Sequence, residues 1–252
     1  MEFGQCLQRA LFKTPSRWAR LRTFAVLAPL TLHGALNDEM ATQLKLTSYT
    51  EPVFPSSARA EGIPDGIVTL AISRDAAGVP GDILAIDASN DRFTKAAVDA
   101  AWQWRFFPVV QGTELPPVLV RIGFRLTGVV YVNTFSTELA GLDGKSVEKK
   151  LREPVKIPEL QSLANAPKAI NQPMPAYPAT LAGKSAEGTA KVRFYIDQEG
   201  RVRMPQVSEA TSPEFAYAAL AAVAQWRYEP PRKGTRSIVV AENWEFKFTA
   251  NN

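Results

Sequence analysis

Sliding the sequence along itself by 122 positions brings two long stretches into step without a gap. Gly66 falls on Gly188, Asp75 on Asp197, Gly78 on Gly200, and Phe93 on Phe215. Gln103-Trp104-Arg105 falls on Gln225-Trp226-Arg227, Pro108 on Pro230, and Phe124 on Phe246. The agreement runs from Gly66 to Leu126 and is read as an internal duplication. Each unit is as long as a small domain, so the repeat predicts two tandem domains and not a stacked array.

The second copy shows what the unit is. Thr189 to Ile196 and Arg201 to Ser208 have strand composition and flank the turn Asp197-Gln-Glu-Gly200, which makes a hairpin. A helix follows, with Ser212 as cap and Pro213 in its first turn. Phe215, Ala219, Ala222, Val223 and Trp226 form one apolar stripe, and Pro230-Pro231 forbid continuation. Ser237 to Phe248 reads as a third strand with Ile238, Val240, Trp244, Phe246 and Phe248 on one face. Glu242 alone breaks that alternation. Strand, strand, helix and strand with one packed face predict an α+β layer, a helix against a small antiparallel sheet.

The first copy repeats the plan with a helix over about Asp91 to Trp104, striped by Phe93, Ala97, Ala100 and Trp104, and with the turn Asp75-Ala-Ala-Gly78. Between the copies, Val129 to Asn133 reads as an extension of the last strand. The chain then turns polar and proline-containing, which predicts a linker with local helix near Lys145 to Arg152. About 40 residues reach some 130 Å extended but average about 35 Å as a coil, so the linker alone does not require the domains to pack.

Asn171-Gln172-Pro173, Ala176-Tyr177-Pro178-Ala179, Gly188, Ile196-Asp197, Gly200-Arg-Val and Trp226-Arg-Tyr-Glu-Pro230 together resemble the C-terminal domain of the TonB family of periplasmic energy transducers. The first copy resembles it less closely: Glu51-Pro-Val-Phe54-Pro55 has no Gln-Pro, Arg74 precedes the turn aspartate, and Phe106-Phe107 replace Tyr-Glu. The expected organisation is a leader over residues 1–35, a divergent domain over 50–132, a linker over 133–170 and a closer domain over 171–249.

The resemblance implies binding through backbone. In this family the domain is taken to engage the TonB box, a short segment of TonB-dependent outer-membrane transporters, as an added strand on a sheet edge. Carried onto this sequence, it points to Gln172 and Pro173, and to the strand residues Ser237, Ile238, Val239, Val240, Ala241, Glu242, Asn243 and Trp244. The competing reading is structural: the same edge is covered by the other domain, or pairs with a second copy to make a homodimer.

Enzyme chemistry has little to draw on. The only cysteine, Cys6, and the only histidine, His33, lie in the leader, so the body of the chain has no Ser/His or Cys/His nucleophile and no Cys/His metal site. No cofactor is expected. Asp75 and Asp197 are the tempting carboxylates, but an aspartate opening a turn that ends in glycine binds local backbone donors. Arg105 and Arg227 follow the helices, where a positive charge has a structural use. The glycines form no phosphate loop.

Net charge is +4, but the leader alone holds Arg9, Lys13, Arg17, Arg20 and Arg22 against Glu2, and without it 24 basic face 24 acidic residues. That balance argues against a nucleic-acid partner. Thr23 to Leu36 is apolar over roughly 10–14 residues where a span needs about 20, which reads as a signal peptide or a short anchor. The family's membrane helix meets the ExbB and ExbD motor. Here the segment is short, contains Pro29 and lacks the family's serine before its histidine, which argues against active force transduction.

Overall fold

The computed structural model describes residues 45–110, 115–126, 131–133, 155–184 and 186–249. The leader and the segment Lys145 to Arg152 lie outside the described residues.

In the first half, strand β1 (Leu46–Ser48) and the short helix α1 (Ser56–Ala60) precede the hairpin β2 (Asp65–Arg74) and β3 (Pro80–Ala88). Helix α2 (Asp91–Ala101), strand β4 (Arg105–Phe106), strand β5 (Val118–Arg125) and strand β6 (Tyr131–Asn133) follow. The second half repeats this with β7 (Ala169–Asn171), β8 (Gly188–Ile196), β9 (Val202–Ala210), helix α3 (Pro213–Val223) and β10 (Arg227–Tyr228). A small hairpin, β11 (Arg232–Lys233) and β12 (Arg236–Ser237), leads into β13 (Val240–Phe248). The helices and the strands after them, β4 and β10, recur at the 122-residue offset of the repeat. The fold is α+β, two small antiparallel sheets each carrying one helix, with strand orders β3-β2-β5-β6 and β13-β8-β9.

Ser212 caps its helix as the sequence suggests, and the helix of the first copy has a cap of its own. Asn90 accepts from the Arg92 amide at the start of α2, and Ser212 accepts from the Phe215 amide at the start of α3. Both helices end three residues before their tryptophans, so Trp104 and Trp226 are not part of the helical stripe. Each instead follows a last turn, the Trp226 amide donating to the Val223 carbonyl at 3.0 Å, and each ring is fully buried.

The helix lies close to its sheet because glycine permits it. A Cβ on Gly66 would stand 2.2 Å from the Phe93 ring, and one on Gly188 would stand 2.6 Å from the Phe215 ring. Phe93, Phe124, Val68, Leu70 and Trp104 build the first core; Phe215, Phe194, Phe246, Phe248 and Trp226 build the second.

Two features differ from the sequence expectation. Of the stretch from Val129 to Asn133, the described residues Tyr131 to Asn133 do not lengthen β5; as β6 they pair antiparallel with it, Arg121 opposite Asn133 and Gly123 opposite Tyr131. The two halves also pack on each other. Ala71, Leu84 and Ile86 of the first sheet form a third apolar cluster with Tyr195, Met204, Val239 and Ala241 of the second half. Arg203 of β9 reaches Asp82 of β3, with Nε to Oδ2 at 3.0 Å, and Arg236 pairs with Asp87. The sheets therefore meet through the faces opposite their helices, which hides apolar residues that a lone domain would expose.

Met204 stands at φ 50, the left-handed region that non-glycine residues seldom occupy. The β8–β9 register shifts beside it, between Arg193 and Tyr195, and its side chain is buried in the inter-sheet cluster.

Candidate functional site

Strand β13 is an edge of its sheet, pairing with β8 from Val240 opposite Ile196 to Phe248 opposite Gly188. Its even-numbered residues Val240, Phe246 and Phe248 enter the core beneath α3, while Ala241 enters the inter-sheet cluster. Trp244 also faces the helix side, its ring edge-on to Trp226 at 5.3 Å between centroids, but it remains 38 % exposed.

The outer edge of β13 is occupied over its first turns of pleat. The Ala241 amide donates 2.9 Å to the Pro158 carbonyl, and Glu159 forms a parallel bridge with Ala241. The described part of the linker from Val155 is thus seated on the sheet. Val155 and Ile157 pack into the inter-sheet cluster, whereas Leu160 and Leu163, flanking the 3-10 turn Leu160–Ser162, pack against the second core. Apolar side chains go to both faces of the sheet, and the backbone runs along its rim.

Glu242 is the buried charge at this rim, only 3 % exposed. Its Oε1 accepts from the Asn243 amide at 2.9 Å and from Gln161 Nε2 at 3.4 Å. Burial pushes its carboxyl above the ordinary carboxylate value, Glu159 adds to the rise, and the two hydrogen bonds oppose it. Tyr228 is raised too, by burial first and by the Glu242 charge second. With Ala241 N–H given to Pro158 and Asn243 N–H given to Glu242, strand alternation aims the amides of Glu245 and Lys247 outward next.

Gln172 and Pro173 meet the same core through Tyr228 and Trp226. Gln172 Nε2 is 3.5 Å from the Tyr228 hydroxyl, and the Pro173 carbonyl accepts from Trp226 Nε1 at 2.9 Å. Of the strand residues, Ser237 belongs to the β11–β12 hairpin, opposite Arg232, and the Ile238 amide donates to Pro231. Val239 is buried between the sheets, and only from Val240 onward does the strand run unbroken. The expected single strand from Ser237 to Phe248 is therefore two pieces. Tyr228 bridges the groups: it pairs through β10 with β7, beside Gln172, and lies in the core with Val240 and Phe246.

Pro158, Glu159, Leu160, Gln161 and Leu163 were not singled out from the sequence. Their signal is faint: Val155, Ile157, Leu160 and Leu163 are apolar residues inside a polar, proline-marked stretch.

The tempting aspartates are turn residues. Asp75 Oδ1 accepts from the Val79 amide at 2.8 Å; buried Asp197 accepts from the Glu199 and Arg201 amides and from the Arg201 guanidinium. Arg105 and Arg227 donate to the carbonyls of Trp104 and Trp226. Among the described residues no cluster of histidine, cysteine, aspartate and glutamate could hold a metal.

The family described as Gram-negative bacterial TonB protein C-terminal matches this chain twice, over residues 50–126 and 173–249. Protein TonB of Escherichia coli strain K12 is 34 % identical over 79 residues, 31 % of this chain and 33 % of its own. Protein TonB of Klebsiella pneumoniae is 33 % identical over 72 residues, 28 % of this chain and 30 % of its own. The chain thus spans about a third of the length of the curated relatives it matches. The solution structure of the Pseudomonas aeruginosa TonB C-terminal domain is 30 % identical, covering 34 % of this chain and 90 % of that one, with a TM-score of 0.31. Matched over more than half its length, the chain belongs to the TonB C-terminal family and carries two tandem copies of its domain.

Proposed function

We propose that this is a periplasmic TonB-like protein of TonB-dependent transport, whose second copy binds the TonB box of outer-membrane transporters as a strand added to β13. One observation carries the reading. In the first copy the chain's own β6 already lies antiparallel on Arg121 to Gly123 of β5. Those positions correspond in the repeat to Asn243 to Glu245 of β13, where no strand is paired among the described residues. The first copy thus supplies an internal pattern for the complex: an extended peptide, antiparallel, hydrogen-bonded along the rim.

Affinity would come from main-chain bonding at Asn243 to Phe248, and selectivity from a partner side chain set against the half-exposed Trp244. Gln172, within reach of Tyr228, would steady the rim. The role is one of binding and not of catalysis.

The test is an amide NMR titration of the protein with a synthetic TonB-box peptide. Shifts confined to Asn243 to Phe248 and to Gln172, weakened by Gln172→Ala, are expected. No shifts, with a solution mass of two chains, would favour a homodimer through the edge strands instead.

A further inference from the structure

The segment Val155 to Leu163 sits where a partner strand would have to extend. It contributes one main-chain hydrogen bond, Ala241 N–H to Pro158, and one bridge, Glu159 with Ala241. Four apolar side chains, Val155, Ile157, Leu160 and Leu163, anchor it on both faces of the sheet, and Gln161 holds the buried Glu242. Its backbone pairing is sparse compared with β8, which matches β13 over nine residue pairs. A segment held by side chains at its flanks and by little main-chain bonding is replaceable by a strand that bonds along the whole edge.

We infer that Val155 to Leu163 is a resident strap that holds the upstream half of the β13 edge and competes with the partner peptide for it. The inference rests on β13 being the peptide-binding edge. The open stretch from the Asn243 carbonyl onward is then the landing point, and pairing propagates to Ala241 only as the strap leaves. Chain segments between the two copies lie on both edges: β6 covers β5, and the strap covers Ala241. In the first copy the covered stretch is longer, with three residue pairs, so the two copies differ in how readily they admit a partner.

The experiment uses the full chain and its Leu160→Asp/Leu163→Asp variant, with Leu160→Ala/Leu163→Ala as the milder second variant. Far-ultraviolet circular dichroism establishes that each is folded. Two probes are titrated: a synthetic TonB-box peptide and a synthetic peptide of residues 155–163. If the strap lowers the competent fraction of the edge, its release raises TonB-box affinity by about tenfold or more, because apparent affinity scales with that fraction. The strap peptide should shift the Ala241 amide in the variants and reduce TonB-box binding. Equal TonB-box affinity in the full chain and both variants, with no response of Ala241 to the strap peptide, would overturn the inference. A variant that binds the strap peptide at Ala241 but takes up no TonB-box peptide counts for the resident strap and against the transporter reading.

Discussion

Trp226 donates its indole N–H to the Pro173 carbonyl at 2.9 Å, and Trp104 does the same to Thr50 at 2.8 Å. Each tryptophan therefore ties the end of the helix to the segment that enters the domain, which places Gln172 beside Tyr228. Trp226→Phe keeps most of the ring volume but leaves the carbonyl without its donor, and should cost about 1–2 kcal/mol. Trp226→Ala adds a cavity among Phe194, Trp244 and Phe246 and should cost about 3–5 kcal/mol. Urea denaturation followed by circular dichroism measures both. Equal losses for the two variants would mean that the ring alone matters.

Gly200 stands at φ 79, and a Cβ there would meet the Tyr228 carbonyl oxygen at 1.9 Å. Backbone atoms cannot step aside as a side chain end can, so Gly200→Ala suffers both torsional strain and a clash. Gly62, at φ 68 with nothing within 4 Å, suffers the strain only. The expected order is a loss of about 1 kcal/mol for Gly62→Ala and a clearly larger one for Gly200→Ala. Thermal melts of the two variants test it, and equal shifts would exclude the contact with Tyr228.

The parts of the fold written in local chemistry were legible in the sequence. Ser212, Pro213 and the paired prolines mark α3, the turn aspartates and glycines mark the hairpins, and the repeat transfers the turn, the apolar stripe and one of the prolines to the first copy. What could not be read depends on distance in the chain. A helical wheel carries Trp226 into the stripe, because three residues of tight turn after Val223 keep nearly the same facing. Glu242 looks like an error in alternation until Gln161, 81 residues away, is set against it. The inter-sheet cluster was hidden for a similar reason: Ala71, Leu84 and Ala241 read equally well as the unremarkable outer face of a lone sheet. In the site, the strand from Val240 onward was visible, whereas the strap on its rim has no periodicity of its own.

Arg203 and Asp82 join the two halves through a bond between groups 25 % and 30 % exposed, and Asp82 raises the Arg203 pKa chiefly through that hydrogen bond. Partial burial makes the pair stronger than a surface ion pair while leaving its charges less costly than in a dry core. A double-mutant cycle with Arg203→Ala and Asp82→Ala should yield a coupling of about 1–2 kcal/mol in urea denaturation. Zero coupling would mean that the halves do not meet through these residues in solution.

Glu242 gives the protein a stability change with pH whose sign follows from its burial. Its carboxyl is raised above 4.5 in the folded chain, so the folded state holds its proton to higher pH than the unfolded chain does. Stability from this group is therefore greatest below the unfolded value and falls as pH rises from there through the folded value. Glu242→Gln retains acceptors for the Asn243 amide and Gln161 but has no charge to bury. The variant should be more stable than the parent near pH 7 and should lose the downward slope above pH about 4.5 that the parent shows. Urea midpoints of both chains across that range are the measurement. A variant less stable at pH 7 with the slope unchanged would mean that the ionised carboxylate is satisfied by its two hydrogen bonds, and that burial at the β13 rim does not penalise its charge.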